Sequence, residues 1–144
     1  MKKNALFFII IVVLSACQNK GLEMTEYENS NKTLTFNIPS YMHKTDEDNS
    51  SMRFEGNKKF VNIMWNKLEN SWDIERFSQH LTENTEGLTL VEKNDTLIVY
   101  EIQKGMVTLP ALIFSLHERS NYSILVTTMG IGKSNHQIIT NSIH

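Results

Sequence analysis

Cysteine, long apolar runs and net charge are all scarce in this chain, and each scarcity excludes a class of protein. Cys17 is the only cysteine among 144 residues, which excludes an internal disulfide framework and metal sites built from several cysteines. The longest apolar run, residues 6–14, is too short for a bilayer span, which needs about 20 apolar residues. A net charge of −2 and a pI near 6.2 offer no broad basic surface for nucleic acid.

The rest of the composition is that of an ordinary globular protein. Charged residues make up 21% of the chain and aromatic residues 9%, which is typical of neither a disordered chain nor a membrane bundle. A chain of this length suits one domain and leaves little room for two. We found no internal repeat and no low-complexity tract.

The first seventeen residues have the pattern of an export signal. Lys2 and Lys3 give a positive start, and the apolar run that follows has the length of a secretory signal core, about 7–15 residues. After this run the chain reads Leu14-Ser15-Ala16-Cys17 and then turns abruptly polar. The segment resembles the lipobox of bacterial lipoproteins, which has leucine, two small residues and then cysteine.

The lipobox resemblance implies a lipid anchor. In that family the cysteine carries diacylglycerol, the signal is cut just before it, and the new amino group receives a further acyl chain such as palmitate. Residues 1–16 would then be the signal peptide and Cys17 the lipid-modified residue that attaches the protein to a membrane. Two or more acyl chains hold a protein stably at a bilayer. The alternative is an ordinary signal or short anchor in which the cysteine occurs by chance.

Residues 17–32 are predicted to be a lipidated N-terminus and flexible tether, because they are polar and lack apolar periodicity. Residues 33–144 are predicted to be one α+β domain. Its antiparallel sheet is predicted to have about six strands, drawn from seven candidate segments with an alternating or apolar pattern: 33–38, 51–55, 58–68, 88–93, 96–103, 111–119 and 122–129. Residues 40–51 are predicted to be a solvated loop.

Two helices are predicted to cover the sheet. The central one spans residues 72–85, with Asn70 or Ser71 as its cap, an apolar stripe through Ile74, Phe77 and Leu81, and an end at Gly87. The C-terminal one spans residues 134–143. The strands near the C-terminus are apolar on both faces, which indicates a sheet with cover on each side.

The order of these elements resembles that of the PsbP-like and DcrB-like α+β sandwiches, a group that includes small bacterial lipoproteins. These domains open with a strand ending in proline, as in Phe36-Asn37-Ile38-Pro39, and close with antiparallel strands and a short helix. The resemblance covers roughly residues 33–143. It implies a binding or accessory module, and it supplies no catalytic residues to transfer.

Two sequence motifs resemble ligand-binding loops but lack a residue that such loops require. Gly132-Lys133-Ser134 looks like the end of a phosphate-binding loop, but Thr127 stands where the first glycine is needed, so we interpret it as a strand-to-helix turn with a serine cap. The acidic run Asp46-Glu47-Asp48 lacks the glycine of a calcium loop, which favours a solvated acidic loop. Neither a metal site nor a cofactor site is predicted.

The histidines and tryptophans are the remaining candidates. No two histidines have the spacing of a helical metal pair, and we interpret them as isolated solvated residues: His43, His80, His117, His136 and His144. Trp65 shares a strand face with apolar residues, which favours a core role over ligand stacking. Trp72 lies at the start of the central helix. If the domain binds a ligand, Trp72 is the first predicted contact and Trp65 the second.

The sequence favours a noncatalytic envelope lipoprotein that binds a protein or a small ligand, and not an enzyme. An envelope hydrolase with a site assembled from distant residues is one alternative, and an immunity or chaperone-like lipoprotein is another. The first alternative requires a pocket that holds a histidine or carboxylate with a strongly shifted pKa. Gln18 is not the aspartate that marks inner-membrane retention in enteric-type lipoproteins, which favours an outer membrane anchor facing the periplasm in a cell with two membranes.

Overall fold

The computed structural model describes residues 22–144, so Cys17 and the predicted signal peptide lie outside the described residues. The described residues form nine strands and two α-helices. The strands are β1 (Met24–Glu28), β2 (Thr35–Pro39), β3 (His43–Glu47), β4 (Ser51–Gly56), β5 (Lys59–Lys67), β6 (Leu88–Lys93), β7 (Leu97–Lys104), β8 (Val107–Arg119) and β9 (Tyr122–Met129). Helix α1 (Ile74–Asn84) follows a short 3-10 turn (Leu68–Asn70), and helix α2 (Gly132–Asn141) is the last element.

The strands form two sheets. The larger sheet has seven strands in the order β3-β4-β5-β9-β8-β7-β6, and β1 and β2 form a separate pair. All the pairings are antiparallel. The α+β class and the antiparallel arrangement are therefore confirmed, and the predicted single sheet of about six strands is corrected to these two.

The large sheet carries a hydrophobic core on each face. Along β9, Ile124 and Val126 point into one core, while Leu125 points into the other. Ile139 of α2 packs in the first core together with residues of the small sheet, and Ile74 of α1 packs in the second. β9 is apolar on both faces because each face of the sheet is covered by a different layer.

The two helices begin in different ways. Asp73 caps α1, because its Oδ1 accepts hydrogen bonds from the backbone amides of Glu75 (3.0 Å) and Arg76 (3.1 Å). The predicted caps Asn70 and Ser71 lie outside this helix. Helix α2 begins after Ile131 without a side-chain cap, so the predicted serine cap is also wrong. Between residues 22 and 144 the structure contains no helix with the length and apolar character needed to span a bilayer.

Two strands were missed because their sequences show little alternation of apolar and polar residues. β1 lies inside the predicted tether of residues 17–32, where it pairs with β2 and has only Met24 and Tyr27 partly buried against the core. β3 lies inside the predicted loop of residues 40–51, and all five of its residues are exposed. An edge strand that buries no side chain leaves no apolar pattern, and its charges discourage pairing with another chain.

Loss of β1 is expected to destabilise the domain. A chain that begins at Thr33 would lose the ring of Tyr27, which packs edge-on against Phe54 with centroids 4.6 Å apart. It would also lose Asn29, whose Oδ1 accepts hydrogen bonds from two backbone amides just before β2 (2.8 and 3.0 Å). We expect a cost of about 2 kcal/mol relative to a chain that begins at Leu22, measured by urea titration. Equal stability of the two chains would mean that this segment acts only as a tether.

Candidate functional site

A polar cleft opens between α2 and the turn that joins β6 to β7. It has a volume of about 410 Å³, and strand β8 forms its floor. We call it the histidine cleft, and its lining residues are Glu92, Asn94, Thr96, Leu97, Ser115, His117, Lys133, His136, Gln137, Thr140 and Asn141. Helix α2 packs on β8, β9 and β2. The cleft therefore lies at the side of the helix where β7 and β6 continue the sheet.

A chain of four hydrogen-bonding side chains runs beneath the cleft. Thr128 Oγ1 lies 2.8 Å from His136 Nδ1, and His136 Nε2 lies 2.7 Å from Ser115 Oγ. The same Ser115 Oγ lies 2.8 Å from His117 Nε2. Strand alternation places Ser115 and His117 on the same face of β8, and antiparallel pairing brings β9 alongside it. His136 reaches them from the buried side of α2.

Burial favours the neutral form of the two histidines beneath the cleft, His136 and His117. His136 is 2% exposed and Ser115 is 3% exposed. Burial, with a smaller effect from the charge of His117, lowers the pKa of His136 to about 4. Burial and then the nearby Arg119 also lower the pKa of His117. Near neutral pH, each imidazole therefore presents one donor and one acceptor nitrogen.

With both imidazoles neutral, the three hydrogen bonds that join these four side chains can run in either of two directions. In one direction Thr128 donates to His136, His136 donates to Ser115, and Ser115 donates to His117. In the other direction, donor and acceptor are exchanged at each link. A protonated His117 has no acceptor nitrogen, so it must donate to Ser115 and it selects the second direction. Protonation of His117 at the cleft thus fixes the buried His136 as the tautomer with its proton on Nδ1.

An ion pair and a turn shape the mouth of the cleft. Lys133 Nζ on α2 lies 2.7 and 2.6 Å from the two carboxylate oxygens of Glu92 on β6. Asn94 Oδ1 accepts hydrogen bonds from the backbone amides of Thr96 (3.0 Å) and Leu97 (2.9 Å), which fixes the β6–β7 turn. The lysine of the Gly-Lys-Ser motif is therefore paired with a carboxylate, and the motif forms the first turn of α2 instead of the predicted strand-to-helix turn.

The chemistry of the cleft differs from that of a hydrolase in two respects. A serine nucleophile needs a base that is itself oriented by a third group, most often a carboxylate. Here the second nitrogen of His136 meets the Thr128 hydroxyl instead. The candidate nucleophile, Ser115, is also almost completely buried. Within residues 22–144, no group of three or more histidine, cysteine or acidic side chains is placed to hold a metal ion.

The structure separates the two predicted ligand-facing tryptophans from this cleft. Trp65 is 3% exposed in the core, and its Nε1 donates to the Asn49 carbonyl at 3.2 Å, so the ring is closed to a ligand. Trp72 is half-buried and packs with α1 on the opposite face of the sheet from the histidine cleft. Its buried Nε1 has no hydrogen-bond partner.

The interpretation of all five histidines as isolated is corrected by this arrangement. His43, His80 and His144 are exposed, as expected. His117 and His136 instead share Ser115. One weak signal was available in the sequence, because His136 precedes Ile139 by three residues and so falls on the apolar stripe of α2.

Comparison with known proteins identifies the fold. No protein-family model matches the chain, and no curated protein sequence matches it. The solved structure of CyanoP, the PsbP protein of the cyanobacterium Synechocystis, is similar with a TM-score of 0.60 and 11% sequence identity. That similarity covers 89% of this chain and 96% of CyanoP. At this identity it shows a PsbP-like fold and nothing about activity.

Two further solved structures share the fold. The Ran-binding protein Mog1p of Saccharomyces cerevisiae has a TM-score of 0.57 and 9% identity, over 85% of this chain and 95% of Mog1p. A protein from Bacteroides thetaiotaomicron has a TM-score of 0.53 and 12% identity, over 83% of this chain. This chain spans about half of the Bacteroides protein, 47% of its length.

Proposed function

We propose that this chain is a lipid-anchored lipoprotein of the bacterial envelope, and that its domain is a noncatalytic binding or accessory module. The PsbP-like fold is compatible with such a role, and Mog1p is a Ran-binding protein, so one protein of this fold serves in binding. The anchor is the acylated Cys17. In a cell with two membranes, we place the protein at the outer membrane, facing the periplasm.

The observation that carries the binding proposal is the buried hydrogen-bonded chain beneath the histidine cleft. Burying polar side chains costs free energy that their hydrogen bonds only offset, so they add little to the stability of the fold. Their presence beneath a cleft therefore supports a role in binding. His117 is half-buried and lines the cleft, where it can bond a small polar ligand. The exposed amides of Gln137 and Asn141 add donors and acceptors at the rim. The ligand that fits is small and hydrogen-bonding.

The second candidate function is an envelope hydrolase, and one observation favours it. Ser115 Oγ lies within 2.8 Å of imidazole nitrogens from two histidines, which is the distance a serine needs for activation by a base. A fluorophosphonate probe distinguishes the two functions, because it labels an activated serine covalently. We expect no labelling of Ser115. Labelling that is lost in Ser115→Ala but retained in Ser134→Ala would establish the hydrolase instead.

The anchor proposal predicts a defined N-terminus. Mass spectrometry of the protein purified from bacterial membranes is expected to show a chain that begins at an acylated Cys17. Cys17→Ser is expected to abolish both the acylation and the cleavage before residue 17, because the modification needs the thiolate. Ser15→Ala preserves the small-residue box and serves as the control. A native protein that retains residues 1–16 with a free thiol would contradict the anchor.

A further inference from the structure

We infer that one end of the large sheet lies against the lipid bilayer, with the tip of the β7–β8 hairpin in contact with it. We call this end the anchor end, and it is defined by Glu23, Tyr41, Lys58, Lys59, Met106 and Val107. The inference rests on the proposed acylation of Cys17. It goes beyond the proposed anchor by identifying the surface of the domain that meets the membrane.

The length of chain outside the structure limits how far the domain can stand from the bilayer. Four residues, 18–21, separate Cys17 from Leu22, the first described residue. A fully extended chain spans at most about 3.3–3.6 Å per residue, so Leu22 lies within roughly 18 Å of the acylated residue. The end of the domain from which the chain leaves must therefore face the membrane closely.

Hydrogen bonds and contacts identify that end. The carbonyl of Glu23 accepts a hydrogen bond from the Ser40 amide at 2.9 Å, just after β2. The next residue, Tyr41, lies at the β4–β5 turn, where Lys59 Nζ is 5.7 Å from the centre of its ring. Phe60 pairs with Met129, so the last residue of β9 lies at the same end. The N-terminal segment thus leaves the fold beside the β4–β5 turn.

The β7–β8 hairpin projects from the sheet at this end. Met129 is opposite Leu112, so β9 stops there while β8 extends outward to Val107. On the other side, β6 begins opposite Ile102. The turn between Lys104 and Val107 therefore stands clear of both neighbouring strands.

The tip of the hairpin is apolar and its surroundings are basic. The Met106 side chain is fully exposed, and Val107 is 61% exposed. Lys58 and Lys104 are exposed at the same end. Exposed apolar side chains on a projecting tip favour insertion among lipid headgroups, and lysines near an anionic surface add electrostatic attraction.

Acidic residues at the same end limit the electrostatic attraction. Glu23 and Glu86 are exposed there, and Glu55 is paired with Arg53. The acyl chains therefore supply most of the membrane affinity, and the hairpin tip and its lysines orient the domain. In this orientation His117, which lies toward the far end of β8 and lines the histidine cleft, remains away from the bilayer and open to a ligand.

The single cysteine allows a direct test. Once Cys17 is acylated the mature chain has no free thiol, so Met106→Cys offers a unique site for an environment-sensitive fluorophore. Glu69→Cys is the matched control, because it is exposed in the 3-10 turn at the opposite end of the sheet. Each acylated protein is bound to vesicles of phosphatidylethanolamine and phosphatidylglycerol that carry a headgroup-attached spin label. We expect the probe at 106 to shift to the blue and to lose most of its emission, and the probe at 69 to be unchanged.

The other outcomes each overturn the inference. Equal quenching at the two positions, or stronger quenching at 69, would place a different surface against the bilayer while leaving the anchor intact. A protein that fails to float with the vesicles would overturn the anchor and the orientation together. If the probe at 106 shifted to the blue in native membranes but not in pure lipid vesicles, the hairpin tip would contact a membrane protein instead of lipid.

Discussion

When the pH is lowered from 7 to 4, the His136→Gln variant is expected to lose about 3 kcal/mol less unfolding free energy than the wild type. The pKa of His136 is lowered to about 4 in the folded chain, against 6.5 for an ordinary histidine. In this interval the unfolded chain binds a proton that the folded chain does not. The stability conferred by the neutral imidazole is therefore fully present above pH 6.5 and is lost as the pH falls toward 4. Urea titrations of both proteins at the two pH values measure the difference.

Glutamine is chosen because its amide retains a donor and an acceptor for Thr128 and Ser115, so the variant keeps the buried bonds. Carboxylates also titrate in this range, which is why the difference between the variant and the wild type is the informative quantity. His43→Gln is the control, because His43 is exposed on β3. If wild type and His136→Gln lost equal stability on acidification, His136 would not be held neutral by burial.

The same acidification is expected to change the cleft before it unfolds the domain. His117 is less buried than His136, and its lowered pKa also favours the neutral form. When His117 takes up a proton it must donate to Ser115, and Ser115 must then donate to His136. Binding of a ligand that accepts a hydrogen bond from His117 therefore strengthens as the pH falls, up to the point at which His136 is protonated.

The sequence predicted those elements whose side chains are buried. Strand β9 and helix α1 have strong apolar patterns, because each packs against a core, and both occur close to their predicted bounds. The cover on both faces of the sheet followed from the two strands β8 and β9, which are apolar on both faces. By contrast, β3 buries no side chain and β1 buries only Met24 and Tyr27 in part, so both strands depend largely on backbone pairing, about which side-chain patterns carry little information.

The candidate site could not be predicted for a different reason. Ser115 and His117 lie two residues apart on β8, and this spacing shows only that they share a face. His136 joins them because α2 crosses β8 at one particular register, which depends on how the core packs as a whole. The Thr128 hydroxyl enters through the pairing of β9 with β8. Each contact is a tertiary one, so the histidines appeared isolated in the sequence.

Trp65→Ala is expected to give the largest loss of stability of any single substitution considered, about 3–5 kcal/mol. The ring is 3% exposed in the core that α2 and the small sheet cover, and its Nε1 donates to the Asn49 carbonyl at 3.2 Å. Removing it costs the burial of a large ring, the cavity that remains, and a hydrogen bond that holds the β3–β4 turn. Urea unfolding measures the loss, and retention of the histidine cleft in the folded variant is checked by the resonances of His117.

Phenylalanine variants of the two tryptophans keep an aromatic ring and remove the Nε1–H. Trp65→Phe is expected to cost about 1–2 kcal/mol, because it leaves the Asn49 carbonyl without its partner and removes part of a buried ring. Trp72→Phe is expected to be close to neutral or slightly stabilising, since Trp72 is half-buried and its Nε1 is buried without a hydrogen-bond partner. A substantial loss from Trp72→Phe would show that this Nε1–H makes a stabilising bond in solution. It would also return Trp72 to consideration as the edge where a ligand binds.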